Sequence, residues 1–221
     1  MSQRRANRST VDSEETVDED AVNECVRFIV CREGSKIPIK RAEIMKHLSA
    51  TTQIPGNQVK SILVEANKIL KKVYGYKLVQ VEAKSGIQYI VVLDEECESL
   101  TPSYVDLLQR RLLVAALMHI YMTGGPVKEE DMWKFLSEAG LMEENDHSVR
   151  KILITTFTRQ MYLQYSKVGD GELSRYVFEW GQRAVEEVPK LFLLNKMAQA
   201  FDKTPEYWCE QYKEATEEES S

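Results

Sequence analysis

The stretch Gln58-Val59-Lys60-Ser61-Ile62-Leu63-Val64-Glu65-Ala66-Asn67-Lys68-Ile69-Leu70-Lys71-Lys72-Val73 decides how the chain is read. Its apolar residues Val59, Ile62, Leu63, Ala66, Ile69, Leu70 and Val73 recur every three or four positions, the spacing of one buried helix face. Just beyond it the period changes. Tyr76, Leu78, Val79 and Val81 run into the turn Lys84-Ser85-Gly86, and Ile87, Tyr89, Ile90, Val91 and Val92 follow. Two runs of β-branched and aromatic residues around a glycine turn predict a hairpin.

Upstream, Asp18-Glu19-Asp20 places acids where a helix dipole favours them. Ala21, Val22, Cys25, Phe28 and Ile29 then continue a helix that stops at Gly34. Ile37-Pro38-Ile39 reads as a short extended piece, since proline has no N–H for a central strand. A second helix is predicted from Lys40 to Leu48, and Pro55-Gly56-Asn57 breaks the chain before the third. Helix, short strand, two helices and a hairpin is the order of a winged helix-turn-helix.

Downstream, the same order recurs. Tyr104 to Met122 is a long apolar helix ending at Gly124-Gly125, and Pro126-Val127 is the short extended piece. Helices are predicted over Lys128 to Leu141 and His147 to Met161. Met161-Tyr162-Leu163-Gln164-Tyr165 and Tyr176-Val177-Phe178-Glu179-Trp180 then form a second hairpin around Gly169-Asp170-Gly171. After Gly181, helical segments reach about Glu214, interrupted near Pro189 and Thr204-Pro205. The expected fold is mainly α with small β-hairpins, an α+β chain of tandem winged-helix modules. The modules span 18–93 and 104–215, joined by an acidic linker over 94–103. Residues 1–17 read as a disordered tail and 216–221 as an acidic one. Units this small bury limited cores, so the halves are expected to touch, with a cleft between them.

Composition narrows the function classes. Apolar residues make up 43% of the 221, enough for a packed core and against general disorder. No apolar run reaches the ~20 residues of a membrane span, and no secretory signal is visible behind Met1. Cys25, Cys31, Cys97 and Cys209 form no Cys-x-x-Cys pair, and His47, His119 and His147 are scattered. Reduced thiols are expected, and neither a metal site nor a cofactor. The net charge of −6 conceals an asymmetry, because residues 21–93 carry 12 basic and 5 acidic side chains and residues 94–209 carry 13 and 19. The first half is thus a candidate for a polyanion. No catalytic motif appears. Glu129-Glu130-Asp131 stands at a helix start, where acids cap, and there is no glycine-rich phosphate loop or nucleophile with a base pattern. The expectation is a protein that is not an enzyme and has no small-molecule substrate.

Several stretches resemble the melanoma-antigen (MAGE) homology domain family, over a span from about Val22 to Ala215. They are Lys36-Ile37-Pro38-Ile39-Lys40-Arg41-Ala42-Glu43, Tyr74-Gly75-Tyr76-Lys77-Leu78 and Arg150-Lys151-Ile152-Leu153. Tyr162-Leu163-Gln164-Tyr165, Tyr176-Val177-Phe178-Glu179-Trp180-Gly181 and Pro205-Glu206-Tyr207-Trp208 complete the set. The resemblance implies a tandem winged helix and binding to RING-type ubiquitin ligases. The Ile-Pro-Ile-Lys-Arg stretch is similar to the ancestral branch, which belongs to the SMC five–six chromosome complex. That implies a nuclear, chromatin-associated adaptor in DNA repair, with the cytoplasm as a second location and a RING-type ligase and a kleisin-like subunit as partners. A stand-alone transcription regulator is the competing reading, though sequence readers are usually basic overall.

Three sets of residues follow. The resemblance puts the ligase contact at Ile29 and Val30, where the family has Leu-Leu. The alternative is that both are core residues. A helix followed through Val22, Cys25, Val26 and Ile29 faces inward and Val30 lies about 100° away, so one of the two is expected in the core and the other exposed. Helix-turn-helix logic puts duplex DNA phosphates against Lys60, Lys68, Lys71, Lys72 and Lys84 of the first unit. In the second unit it puts them against Arg150, Lys151, Arg159, Lys167 and Arg175. Such contacts are salt-sensitive and blind to sequence, and the alternative is a solvated face. Finally, the helix holding Leu108, Leu112 and Leu117 is apolar on most sides. It meets either a kleisin helix, as the resemblance implies, or the other unit.

Overall fold

In the computed structural model, residues 18–52, 54–95, 106–143, 146–171 and 174–219 are described. The tail expected over 1–17 and most of the linker expected over 94–103 lie outside them. Helix α1 (Glu19–Glu33) opens on Asp18, whose carboxylate accepts from the Asp20 N–H at 3.0 Å. Its stripe of Ala21, Val22, Cys25, Val26 and Ile29 packs against α2 (Arg41–Thr51) and α3 (Val59–Ile69). Strand β1 (Ile39–Lys40) pairs with β3 (Gly86–Leu93), which pairs with β2 (Tyr76–Ala83). All the pairings are antiparallel.

The second unit repeats this plan. Helix α4 (Leu107–Thr123) is capped by Asp106 and closes on Gly124 at φ +74°, a backbone angle that suits glycine. Helices α5 (Glu129–Glu138) and α6 (His147–Lys151) follow. Strands β4 (Val127–Lys128), β5 (Leu163–Val168) and β6 (Arg175–Trp180) pair in the order β4-β6-β5, matching β1-β3-β2. The chain ends in α7 (Gln182–Glu187), α8 (Lys190–Ala200), a single 3₁₀ turn at Pro205–Tyr207, and α9 (Cys209–Glu219). Residues 216–219, expected in a tail, therefore end a helix instead. The fold is a tandem winged helix, as the order of elements predicts.

The third helix of each unit differs from the expected continuous α-helix. Both widen into a π turn, over Leu70–Tyr74 in the first unit and Ile152–Phe157 in the second. The buried residues Leu70, Leu153 and Phe157 lie in these turns. A π turn lets a helix keep an extra residue without rotating its apolar stripe out of the core.

Each unit has its own apolar core. The first contains Ile29, Ile44, Leu48, Ile62, Ala66 and Val91, and the second Leu112, Leu117, Met132, Leu136, Leu153 and Phe178. Strand β3 is also buried on its opposite face, where Ile90 and Val92 are 0% exposed and belong to neither core. That face carries Lys77, the cross-strand partner of Val92, whose Nζ lies 3.5 Å from Glu186 of α7. Helix α7 packs on β3 there, so the first sheet is the surface on which the second unit sits.

Candidate partner and nucleic-acid surfaces

At the proposed ligase contact the two aliphatics divide. Ile29 is 0% exposed within the first core, whereas Val30 is half-buried at the edge of it. Val30 shares the outer ridge of α1 with exposed Arg27 and Cys31. Beside it, Phe28 stacks on His47 with centroids 4.4 Å apart, and the Arg32 guanidinium lies 5.1 Å above the Phe28 ring. Arg32 also pairs with Glu43 at 2.8 Å, and Glu24 with Arg27 at 2.5 Å. Hydrogen bonds from Arg27 and His47 hold the Glu24 carboxyl below its usual range. These contacts tie the end of α1 to α2 and leave Val30 as the aliphatic offered outward.

The basic residues of the first unit separate into paired and free groups. Lys68 contacts Glu65 at 2.7 Å, and Lys71 lies 2.9 Å from Asp94, so both spend part of their charge locally. Lys60, Lys72 and Lys84 are exposed and without an ion pair among the described residues. Asn67 faces the structure, its Oδ1 accepting from the Leu78 N–H at 2.8 Å. The outer face of β3 in this hairpin is covered by α7 of the second unit.

In the second unit, Lys151 and Arg159 are exposed along the third helix, with exposed Thr155 between them. Lys167 and Arg175 are exposed on the hairpin, and none of these four cations has an ion pair among the described residues. In the register Lys167 pairs with Tyr176 and Arg175 with Val168, so the two project to opposite faces of the ribbon. Arg150 is different. It is half-buried with its guanidinium 5.2 Å over the Trp133 ring, a packed position rather than an offered one.

The expected kleisin face requires a correction. Leu112 and Leu117 are 0% and 1% exposed in the second core, because the last three turns of α4 are wrapped by the rest of their own unit. Its first turn is uncovered among the described residues, with Leu107 at 62% and Leu108 at 48% exposure. Sequence reasoning missed another apolar concavity, of about 300 Å³, lined by Ile120, Tyr121, Pro126, Trp180, Val185 and Lys190. Its members come from α4, β6, α7, α8, α9 and the loop before β4, so no single periodic stripe announces it. The Trp180 indole donates to the Leu117 carbonyl at 3.0 Å, fixing the ring in the wall of the cleft.

Glu129 serves as a brace. It accepts from the Trp133 indole at 3.2 Å and the Tyr165 hydroxyl at 2.8 Å, and burial together with this carboxylate pushes the Tyr165 pKa up. Among the described residues no group of three or more His, Cys, Asp or Glu is placed to hold a metal ion. No helix among them is long and apolar enough to cross a membrane.

Comparison with known proteins agrees with this architecture. The MAGE homology domain model matches residues 25–103 and again 98–191. The human non-structural maintenance of chromosomes element 3 homolog is 32% identical over 212 residues, covering 90% of this chain and 67% of that protein. The mouse protein of the same description is 31% identical, with 90% and 73% coverage. A solved structure described as the Nse1-Nse3-Nse4 complex contains a similar chain. It superposes with a TM-score of 0.77 at 29% identity, covering 92% of this chain and 99% of that one. Two winged-helix units, two successive matches to one family model and a relative similar over most of its length lead to one assignment: the chain belongs to the MAGE homology domain family.

Proposed function

We propose that this chain is a non-catalytic adaptor of the SMC five–six complex, occupying the place of element 3 between a RING-type ubiquitin ligase and a kleisin subunit. The observation that carries this reading is the likeness, over 92% of this chain, to a chain solved within the Nse1-Nse3-Nse4 complex. The ligase sits on the outer ridge of α1 around Val30, where an aliphatic is offered beside a ring and cations. The kleisin meets the second unit, at Leu107 and Leu108 and in the apolar cleft beside Trp180 and Val185. Concave, mainly apolar walls with a fixed aromatic suit the apolar face of a partner helix.

Duplex DNA is held through phosphates by the free cations. Lys151 and Arg159, with Lys167 or Arg175 on the hairpin, form the better surface, since Lys68 and Lys71 already face carboxylates. The work takes place in the nucleus, at chromatin, in repair and chromosome maintenance. The test is affinity capture of the tagged full chain from nuclear extract, with the bound proteins identified by mass spectrometry. A RING-type ligase and a kleisin recovered together support the proposal, and recovery of neither contradicts it.

A further inference from the structure

We infer that Arg183 is a latch that fixes the second unit on the first, so that the two winged helices form one body only while this side chain is in place. Arg183 is 1% exposed, the largest fully buried side chain among the described residues. Its Nη1 donates to the Val91 carbonyl at 2.6 Å and Nη2 to the Lys36 carbonyl at 2.9 Å, both in the first unit. Its Nε donates to the Gln160 carbonyl of the second unit at 2.8 Å. Glu187, one turn along α7, takes Nη1 at 2.9 Å and accepts the Tyr162 hydroxyl at 2.5 Å. A guanidinium is a planar fork of donors, so one side chain reaches carbonyls of both units at once. A lysine ammonium has three donors around a point and no such span.

The surroundings are built for this role. Lys36 and Met161 are two of the three non-glycine residues with positive φ among the described ones, at +58° and +64°. The first turns its carbonyl to Arg183 Nη2, and the second supplies the acceptor for the Arg183 backbone N–H at 2.9 Å. Such left-handed angles disfavour residues with a Cβ and persist where the surroundings impose them. Gly181 lets α7 approach, since a Cβ there would stand 2.2 Å from the Met161 carbonyl oxygen. Around the rim, Lys77 pairs with Glu186 at 3.5 Å, Lys36 reaches Glu187 at 3.8 Å, and Gln160 Nε2 donates to the Ser35 carbonyl at 3.3 Å. The seam is therefore hydrogen-bonded and ionic around the apolar patch of Ile90 and Val92. The two cores share no member across it, which lets each unit outlast its opening.

The natural cysteines supply the measurement. Cys31 is exposed on the first unit and Cys209 on the second, while Cys25 is buried. In the full chain with Cys97→Ser, spin labels at Cys31 and Cys209 report the distance between units by pulsed electron resonance. The parent should give one narrow distribution. The pair Arg183→Met and Glu187→Gln removes the latch without leaving a buried carboxylate unpaired. It should keep its helical circular dichroism and lose the narrow peak for a broad one. An unchanged narrow peak in that folded variant overturns the proposal. Should the pair fail to fold, Arg183→Lys keeps the cation without the fork. Broadening there supports the latch, and a narrow peak like the parent's overturns it. Broadening on Lys77→Gln with none on the Arg183 variants would place the lock at the rim and likewise overturn it.

Discussion

The Lys71 ammonium lies 2.9 Å from the Asp94 carboxylate, across the gap between the third helix of the first unit and the end of its hairpin. This pairing bears on where a polyanion binds. A cation already facing a carboxylate must give up that contact to meet a phosphate, whereas Lys151 and Arg159 have none to give up among the described residues. The Glu substitutions K151E and R159E together should therefore weaken binding to duplex DNA more than K68E and K71E together. Each lost phosphate contact lowers the steepness of log affinity against log salt by roughly 0.9, so the first pair should flatten it by roughly 1.8. Titrations at several salt concentrations measure this. A larger effect from the first-unit pair would move the surface there, and no binding at low salt would remove it.

Ile29 and Val30 should fail in different ways. Ile29→Ala empties a site in the core and should cost about 2–5 kcal/mol of stability, read as an early thermal transition. Val30→Ala trims an edge residue. Its stability should change little, and its affinity for a RING partner should fall by about 1 kcal/mol or more, roughly fivefold in Kd. Melting and binding measured on the same samples separate the two. Normal binding by folded Val30→Ala would rule the ridge out as the contact.

Along α4 the same contrast applies. Leu112→Ala should cost about 2–5 kcal/mol. Leu108→Ala, on the uncovered first turn, should stay within about 0.5 kcal/mol and act on kleisin binding instead. Equal melting losses would mean that Leu108 is covered in solution.

Cys25 should resist alkylation at neutral pH while Cys31 and Cys209 react. Burial pushes the Cys25 thiol from its ordinary 9.0 up to about 12. A thiol with a raised folded pKa contributes stability that is intact below 9.0 and is lost as pH rises from 9.0 towards about 12. Peptide mapping after brief alkylation checks the first point, and denaturant melts across that pH window check the second. Ready labelling of Cys25 in the native protein would contradict the packing of α1.

The repeated order of elements was legible because periodicity reports which face is buried, and the change from a period of 3.6 to one of 2 after Val73 marks the hairpin. The inward spacing of Val22, Cys25, Val26 and Ile29 likewise made it legible that Ile29 and Val30 divide between core and surface, and the structure shows Ile29 to be the buried one. Arg183 was not legible. Within Gln182-Arg183-Ala184-Val185-Glu186-Glu187 it reads as an ordinary charged helix residue, and two of its acceptors are carbonyls 92 and 147 residues away. Main-chain carbonyls carry no sequence signal, so a side chain that binds them leaves no pattern. Leu112 and Leu117 misled for a related reason. An all-round apolar helix announces burial but not which partner provides it, and here that partner is the helix's own unit.

Co-expression of the full chain with the RING-type ligase subunit and the kleisin of the proposed SMC five–six complex, followed by size exclusion with light scattering, tests the assembly most directly. One peak is expected, with a mass equal to the sum of the three chains. With Val30→Ala the ligase should leave that peak at a severalfold higher concentration than with the parent chain, and the chain alone should show no ubiquitin transfer. Three separate peaks for the unmodified proteins, or a ligase–kleisin pair that forms and excludes this chain, would contradict the proposed assembly.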